Sequence, residues 1–240
     1  MIESLSNSKI KYAIKLKQKK YRNQFNQFLV EGKHLVEEAI KSNMVSIIFT
    51  TQEETFADIE NYLVTIPVMS KLSTLKNDYG IVAICNRPSY DSLSNKILLL
   101  DGVQDPGNMG TLIRTAAAFG FETIVSESSV DYFNEKVIRS SQGAVFYVNL
   151  MEGNIKEFIQ NHVEYHIYGT DVLTGLDIRT ASFDHSKIAI ILGNEGNGVR
   201  ASIRDLVHTN IHIPMLSTES LNVGIAGGIL MYEACKENIK

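Results

Sequence analysis

From Lys96 onward the chain alternates short apolar runs with helical stretches, and its loops are crowded with Gly, Pro, Asn and Ser. The runs are Lys96–Val103, Thr123–Ser126, Val145–Asn149, Tyr165–Thr170, Lys187–Leu192 and Asn210–Ile213. Helical stretches at Thr111–Phe119, Asn134–Ser140, Asn154–Asn161 and Val199–Leu206 separate most of them, and Val223–Glu237 ends the series. Strands alternating with helices predict an α/β fold with a mainly parallel sheet covered on both faces. Ligands of such sheets bind outside the carboxyl ends of the strands. Three loops lie there: Asp105-Pro-Gly-Asn-Met-Gly-Thr-Leu-Ile-Arg114, Leu192-Gly-Asn-Glu-Gly-Asn-Gly-Val199 and Ile213-Pro-Met-Leu-Ser-Thr-Glu-Ser-Leu-Asn-Val223. They predict one composite site.

The first half is a smaller α/β pattern. A helix is expected over Ser8–Lys20, then a strand from Phe28, a glycine at Gly32 and a helix running to Ile40. Val45–Thr50, Ile66–Met69 and Ile81–Asn86 read as strands, and Gln52–Leu63 as a helix. Arg87–Asn95 has linker chemistry, which divides the chain into a domain over residues 1–90 and one over 96–240.

Composition narrows the partners. The 240 residues are 44% apolar, enough for a packed core, and no run approaches the ~18 apolar residues that span a bilayer. The basic N-terminus lacks the apolar stretch of a secretory signal. Cys85 and Cys235 fit a reduced cytoplasmic interior and cannot by themselves form a thiolate zinc site. Neither a membrane nor a metal partner is expected. The net charge of −4 hides an asymmetry: residues 1–34 carry +6 and the remainder −10. A basic arm of Lys9, Lys11, Lys15, Lys17, Lys19, Lys20 and Arg22 on an acidic body points to a polyanion, RNA among them; the plainer reading is a solvated lysine-rich helix.

Each loop has a ligand-binding reading and a structural one. With a helix starting at Thr111, Arg114 falls near its first turn, where free N–H groups and the helix dipole favour anions; the alternative is a surface ion pair. Gly193, Gly196 and Gly198 let backbone approach a ligand closely, or simply make a tight turn. Their spacing is not that of the dinucleotide fingerprint, and Glu195 would repel a pyrophosphate. Ser220 is placed to cap the last helix with Asn222 in its first turn, and the small residues Gly224–Gly228 suit close backbone packing. His162 and His166, or Asp171 and Asp177, are weaker pairs and read as surface or core groups.

In this order the loops resemble the three motifs of the SpoU-type RNA ribose methyltransferases of the SPOUT superfamily. The first is Asn108-x-Gly110-x-x-x-Arg114-Thr-Ala-x-Ala-Phe-Gly120, the second Leu192-Gly-Asn-Glu-Gly-x-Gly198, and the third Ile213-Pro-Met215 with Ser220-Leu-Asn-Val223, its halves slightly close together. Phe28-Leu-Val-Glu-Gly-x-x-Leu-Val-Glu-Glu-Ala39 resembles the family's ribosomal-protein-like substrate-binding domain. The resemblance implies a trefoil-knotted C-terminal domain, a homodimer and S-adenosyl-L-methionine as cofactor. By matched position it places Leu192, Gly193, Gly198, Ile213, Met215 and Leu221 at the cofactor, and Arg114, Asn108, Glu195, Ser220 and Asn222 in the catalytic set. Arg114 would grip the phosphate next to the acceptor ribose, since a pKa above ~12 makes arginine a poor base.

The implied reaction is methyl transfer to a ribose 2′-hydroxyl of structured RNA, ribosomal RNA ahead of transfer RNA. Two other readings stand beside it: a non-catalytic RNA-binding or ribosome-assembly protein on the same fold, and a small-molecule enzyme using a nucleotide cofactor. The polar set Asn108, Arg114, Glu195 and Asn222 argues against the first, and the basic arm against the second.

Overall fold

The computed structural model describes residues 1–54, 56–75, 80–90, 92–170, 175–218 and 220–236. They form two compact units, Met1–Ser89 with Phe133–Phe146, and Tyr90–Tyr132 with Tyr147–Lys240. A single cut near residues 90–96 leaves Phe133–Phe146 in the second domain; in the structure this segment packs with the first unit. Phe133 and Phe146 flank Phe28, with ring centroids 4.5 and 6.4 Å away. Arg139 pairs with the buried carboxylate of Glu31, which also accepts from the Ser73 hydroxyl (2.9 Å) and the Thr74 amide (2.7 Å). Burial alone would raise the Glu31 pKa, but the Thr74 and Ser73 donors and Arg139 hold it below the usual range.

The first unit is a four-stranded sheet in the order β1 (Gln27–Glu31), β4 (Ile81–Asn86), β2 (Val45–Thr50), β3 (Glu60–Leu63). Its helices are α1 (Ser8–Lys15), α2 (Lys19–Phe25), α3 (Lys33–Lys41), α4 (Ile66–Leu72) and α6 (Glu135–Ser140). Three expectations need correction. The single N-terminal helix is two, because the helix is capped at Leu16 and restarts only at Lys19. The stretch expected as a helix over Gln52–Leu63 ends in β3, which pairs parallel to β2; its polar residues offer no apolar helical face to bury. Ile66–Met69 is helical despite its β-branched residues: Pro67 sits in the first turn, and Val68, Met69 and Leu72 turn inward together.

The second unit carries a seven-stranded sheet in the order β7 (Asn149–Glu152), β6 (Thr123–Glu127), β5 (Lys96–Asp101), β10 (Ile188–Leu192), β8 (His166–Thr170), β11 (Thr209–His212), β9 (Leu176–Asp177). Every described pairing in it is parallel. The central strand β10, Ile-Ala-Ile-Ile-Leu, is buried throughout, as a parallel strand covered on both faces must be. Helices α5 (Pro106–Ala118), α7 (Ile155–Asn161), α8 (Ala201–Arg204) and α9 (Val223–Glu233) cover it. The strand expected over Val145–Asn149 is a 3-10 turn at Ala144–Phe146 followed by β7. The two-residue β9 was too short to read. Among the described residues no helix is long and apolar enough to cross a membrane.

His166, at the start of β8, stacks on His185 (centroids 3.9 Å apart), lies 5.0 Å from His208, and shares a 2.9 Å hydrogen bond with the Thr209 hydroxyl. Burial and then the neighbouring imidazoles of His185 and His208 push its pKa down, against the pull of Asp184. A histidine with a depressed folded pKa binds its proton more readily in the unfolded chain. Its contribution is therefore complete above the unfolded value of about 6.5 and is lost as pH falls below it. The melting temperature is expected to drop between about pH 7 and pH 5.5, and His166→Gln to flatten that drop. An identical slope in the variant would remove His166 from the account.

Candidate active site

Strands β5 and β10 are neighbours, with Leu100 opposite Leu192, so the first two loops leave the sheet side by side. The second loop closes on itself. Asn194 N–H donates to the Gly198 carbonyl at 3.0 Å, and Gly198 N–H returns a bond to Asn194 at 2.9 Å. The Asn194 side chain accepts from the amides of Gly196 (3.0 Å) and Asn197 (3.2 Å) and donates to the carbonyl of Gly102 (2.8 Å). A Cβ on Gly193 would lie 2.0 Å from the carbonyl carbon of Gly198, so no other residue fits there without moving backbone.

The first loop is shorter than expected, because α5 starts at Pro106. Asp105 caps it, accepting from the Asn108 amide at 2.8 Å. Arg114 therefore lies more than two turns into the helix, exposed and away from the free N–H groups of the helix start, so the helix-terminus argument does not apply to it. No described residue gives its side chain a hydrogen bond or ion pair. The third loop also differs in detail: Asn222, not Ser220, caps α9, accepting from Gly224 (2.9 Å) and Ile225 (3.3 Å).

Side-chain amides join the three loops. Asn222 Nδ2 donates to Asn108 Oδ1 at 2.8 Å, and Asn108 Nδ2 donates to Glu195 Oε1 at 3.1 Å. Helix α9 is seated against α5 and β10 through Gly227, where a Cβ would come within 2.4 Å of Leu112 Cδ2 and 2.7 Å of Leu192 Cδ1.

A cavity of about 420 Å³ opens between the second and third loops. Leu192, Gly193, Gly198, Ile213, Met215 and Leu221 all line it, as do Glu195 and Ser220. Asn108, Asn222 and Arg114 are not among its lining residues; the first two reach it through Glu195. Apolar side chains and the glycine-rich turn make up most of its lining, with a few polar side chains among them, the usual make-up of a small-molecule site, and its volume lies within the roughly 300–1,000 Å³ of such sites.

The profile of the SpoU rRNA Methylase family matches residues 95–232, which hold all three loops. The chain belongs to that family. The profile of the MRM3-like substrate binding domain matches residues 7–83. Among curated relatives, the 23S rRNA (guanosine(2553)-2′-O)-methyltransferase RlmP of Bacillus subtilis is 36% identical over 96% of this chain and 97% of its own. The AdoMet-bound rRNA methyltransferase of Sinorhizobium meliloti superposes with a TM-score of 0.90 at 26% identity, covering 100% of this chain and 98% of that one. An RNA 2′-O ribose methyltransferase structure covers 99% and 98% of the two chains at 27% identity and a TM-score of 0.80. This SpoU-family chain is thus an RNA methyltransferase by kinship, on an α/β fold its relatives share.

Sequence reading missed the residues that brace the SpoU loops. Asp101 ends β5 and is 2% exposed. It accepts from Arg200 twice, from the main-chain N–H at 2.9 Å and from Nε at 2.7 Å, while Arg200 Nη2 reaches Glu127 at 2.7 Å. Arg200 beside it holds the Glu127 carboxyl below its ordinary range. The signal was present: Asp101 terminates an apolar strand where a buried carboxylate needs a cation. Its partner, 99 positions on, was not legible.

The basic arm is only partly a surface. Lys11, Lys15, Lys19 and Lys20 are exposed, and Lys15 and Lys20 flank the ring of Tyr21 at 5.6 and 5.7 Å. Lys9 pairs with Glu60 at 2.7 Å. Lys17 donates to the Lys71 carbonyl at 2.6 Å, and burial lowers its pKa. Arg22 is a correction: it is 4% exposed and donates to the carbonyls of Leu16 (3.0 Å) and Lys17 (2.8 Å), satisfying the end of α1. It is part of the fold and cannot reach RNA. Of the weaker pairs, His162 caps α7 and packs on Phe158, 4.5 Å between ring centroids. Asp177 is held at about 2 by Arg179, and Asp171 lies outside the described residues. No three His, Cys, Asp or Glu side chains among the described residues are placed so that they could hold a metal ion.

Proposed function

We propose that this SpoU-family enzyme transfers a methyl group from S-adenosylmethionine to a ribose 2′-hydroxyl of ribosomal RNA in the cytoplasm, using the cavity between the second and third loops. The observation that carries the reading is the meeting of all six matched cofactor positions in one cavity, beside the Asn222–Asn108–Glu195 chain that joins the loops. The cavity fits the cofactor on its own chemistry. Its glycine-lined wall offers main-chain groups at close range, Leu192, Ile213, Met215 and Leu221 offer apolar surface, and Glu195 offers a negative charge to a cationic ligand. The names of RlmP and of the Sinorhizobium meliloti enzyme support the same substrate and cofactor.

When bound, the cofactor supplies an electrophilic methyl on a positively charged sulfur. The protein's part is to hold the acceptor oxygen in line with it and keep water out. Asn108 and Asn222 orient Glu195 and fix the loops, while Ser220, exposed and lining the cavity, offers a hydroxyl to the ribose. Arg114 carries a guanidinium that none of the described residues occupies, suited to the phosphate beside the acceptor. The reading includes the family's trefoil knot, supported by the close seat of Gly227 on Leu112 and Leu192, and a homodimer, supported by exposed Ile225 and Tyr232 on α9.

The deciding experiment is transfer of tritiated methyl to 23S rRNA, free and in large-subunit particles, followed by mapping of alkali-resistant ribose linkages. Label confined to transfer RNA or to a base would end the proposal. Converting Lys11, Lys15, Lys19 and Lys20 together to Gln is expected to weaken RNA binding and to reduce the slope of log K against log salt by up to about 3. An unchanged slope would make these lysines bystanders.

A further inference from the structure

We infer that Arg204 is the anchor for the α-carboxylate of the cofactor's amino-acid portion, an inference that rests on the cofactor reading above. The cavity's charged lining residues, among those described, are Glu195 and Arg204. Arg204 is exposed at the cavity's edge, and no described residue gives its side chain an ion pair or hydrogen bond, so its five donors are uncommitted within the fold. S-adenosylmethionine brings three charges: a sulfonium, an ammonium and a carboxylate. Glu195 complements the two positive ones. The carboxylate needs a cation, and a guanidinium meets a carboxylate through two parallel N–H donors, a geometry that an ammonium cannot match.

The backbone carrying Arg204 is held still. Ile203, the residue before it, is 1% exposed and packs in the core of the second unit. Arg200, four residues earlier, is tied to Asp101 and Glu127, and the Arg204 amide donates to the Arg200 carbonyl at 3.1 Å. A charged side chain on a fixed backbone has less freedom to lose when it engages a ligand. The brace at Arg200, which directly follows the glycine loop, therefore also supports the short helix that carries Arg204.

The test removes the interaction from each side. Calorimetry would compare the wild type, Arg204→Met and Arg204→Lys against S-adenosylmethionine, S-adenosylhomocysteine and decarboxylated S-adenosylmethionine. Arg204→Met is expected to weaken the first two by about tenfold or more and the decarboxylated ligand by less than about twofold, with Arg204→Lys in between. Wild type should itself prefer S-adenosylmethionine to its decarboxylated form by a similar factor, a readout that needs no variant to fold. Equal losses on all three ligands would overturn the assignment, since Arg204 would then touch the nucleoside or only shape the wall. Unchanged cofactor affinity with weakened RNA binding would overturn it in favour of an RNA phosphate. Wild type binding none of the three ligands would sink the cofactor reading itself, and is distinct from either result.

Discussion

Replacing Arg114 with alanine is expected to reduce methyl transfer by roughly 10²–10³-fold while leaving affinity for S-adenosylmethionine within about tenfold, or ~1.4 kcal/mol. The separation follows from where the residue lies. Arg114 is exposed on α5, outside the cavity lining, and no described residue pairs with it. Its removal takes away no wall of the cofactor site. In the proposed role it takes away a bidentate donor for the acceptor phosphate, and a displacement of the acceptor by about 1 Å is enough to cost about 10²-fold in rate. Lysine at this position keeps the charge but loses the fork, so Arg114→Lys should recover only part of the activity. Single-turnover transfer of labelled methyl, paired with calorimetry on the cofactor, reads both quantities. Loss of cofactor binding with normal residual turnover would reverse the roles.

Gly193→Ala is expected to lose cofactor affinity by about 10²-fold or more, roughly 3 kcal/mol, and to lower stability by about 1–3 kcal/mol. The added methyl would sit 2.0 Å from Gly198 C and 2.2 Å from Val199 N, both main-chain atoms. That backbone cannot step aside cheaply, because two reciprocal Asn194–Gly198 hydrogen bonds close the turn and the Asn194 side chain pins it to Gly102. Gly196 is the control within the same loop. A Cβ there meets only the Asn194 side-chain oxygen, at 3.5 Å, so Gly196→Ala should stay within about threefold of wild type in cofactor affinity. Equal effects at the two glycines would show that the loop is pliable and that the close approach at Gly193 has no consequence.

Much of the second unit was readable from the chain alone, because its signals are local. A strand buried on both faces must be apolar along its length, and β10 is, as is β5 from Ile97 to Leu100; loops rich in Gly and Asn mark the strand ends where ligands bind. The residues expected at the cofactor line one cavity for that reason. Readings failed where a non-local partner decided the outcome. The polar stretch before β3 had no helical face, but only the open edge of β2 could make its end a strand. Arg22 looked like its lysine neighbours, and only the fold shows that it caps α1 from within. Capping chemistry, misjudged by two residues at Ser220, was settled by which side chain could reach Gly224 and Ile225.

The amino-acid sequence by itself determined the α/β class, the three loops and the residue types they bring. Those depend on hydrophobic periodicity and turn chemistry, which act over a few residues. The tertiary structure alone decided that Asn108, Glu195 and Asn222 touch, that Arg200 braces the glycine loop on Asp101, and that Arg204 lines the cavity while Arg114 lies outside its lining. Contacts between residues about a hundred positions apart depend on strand order, and strand order is set by how the whole sheet packs rather than by any local stretch of chain.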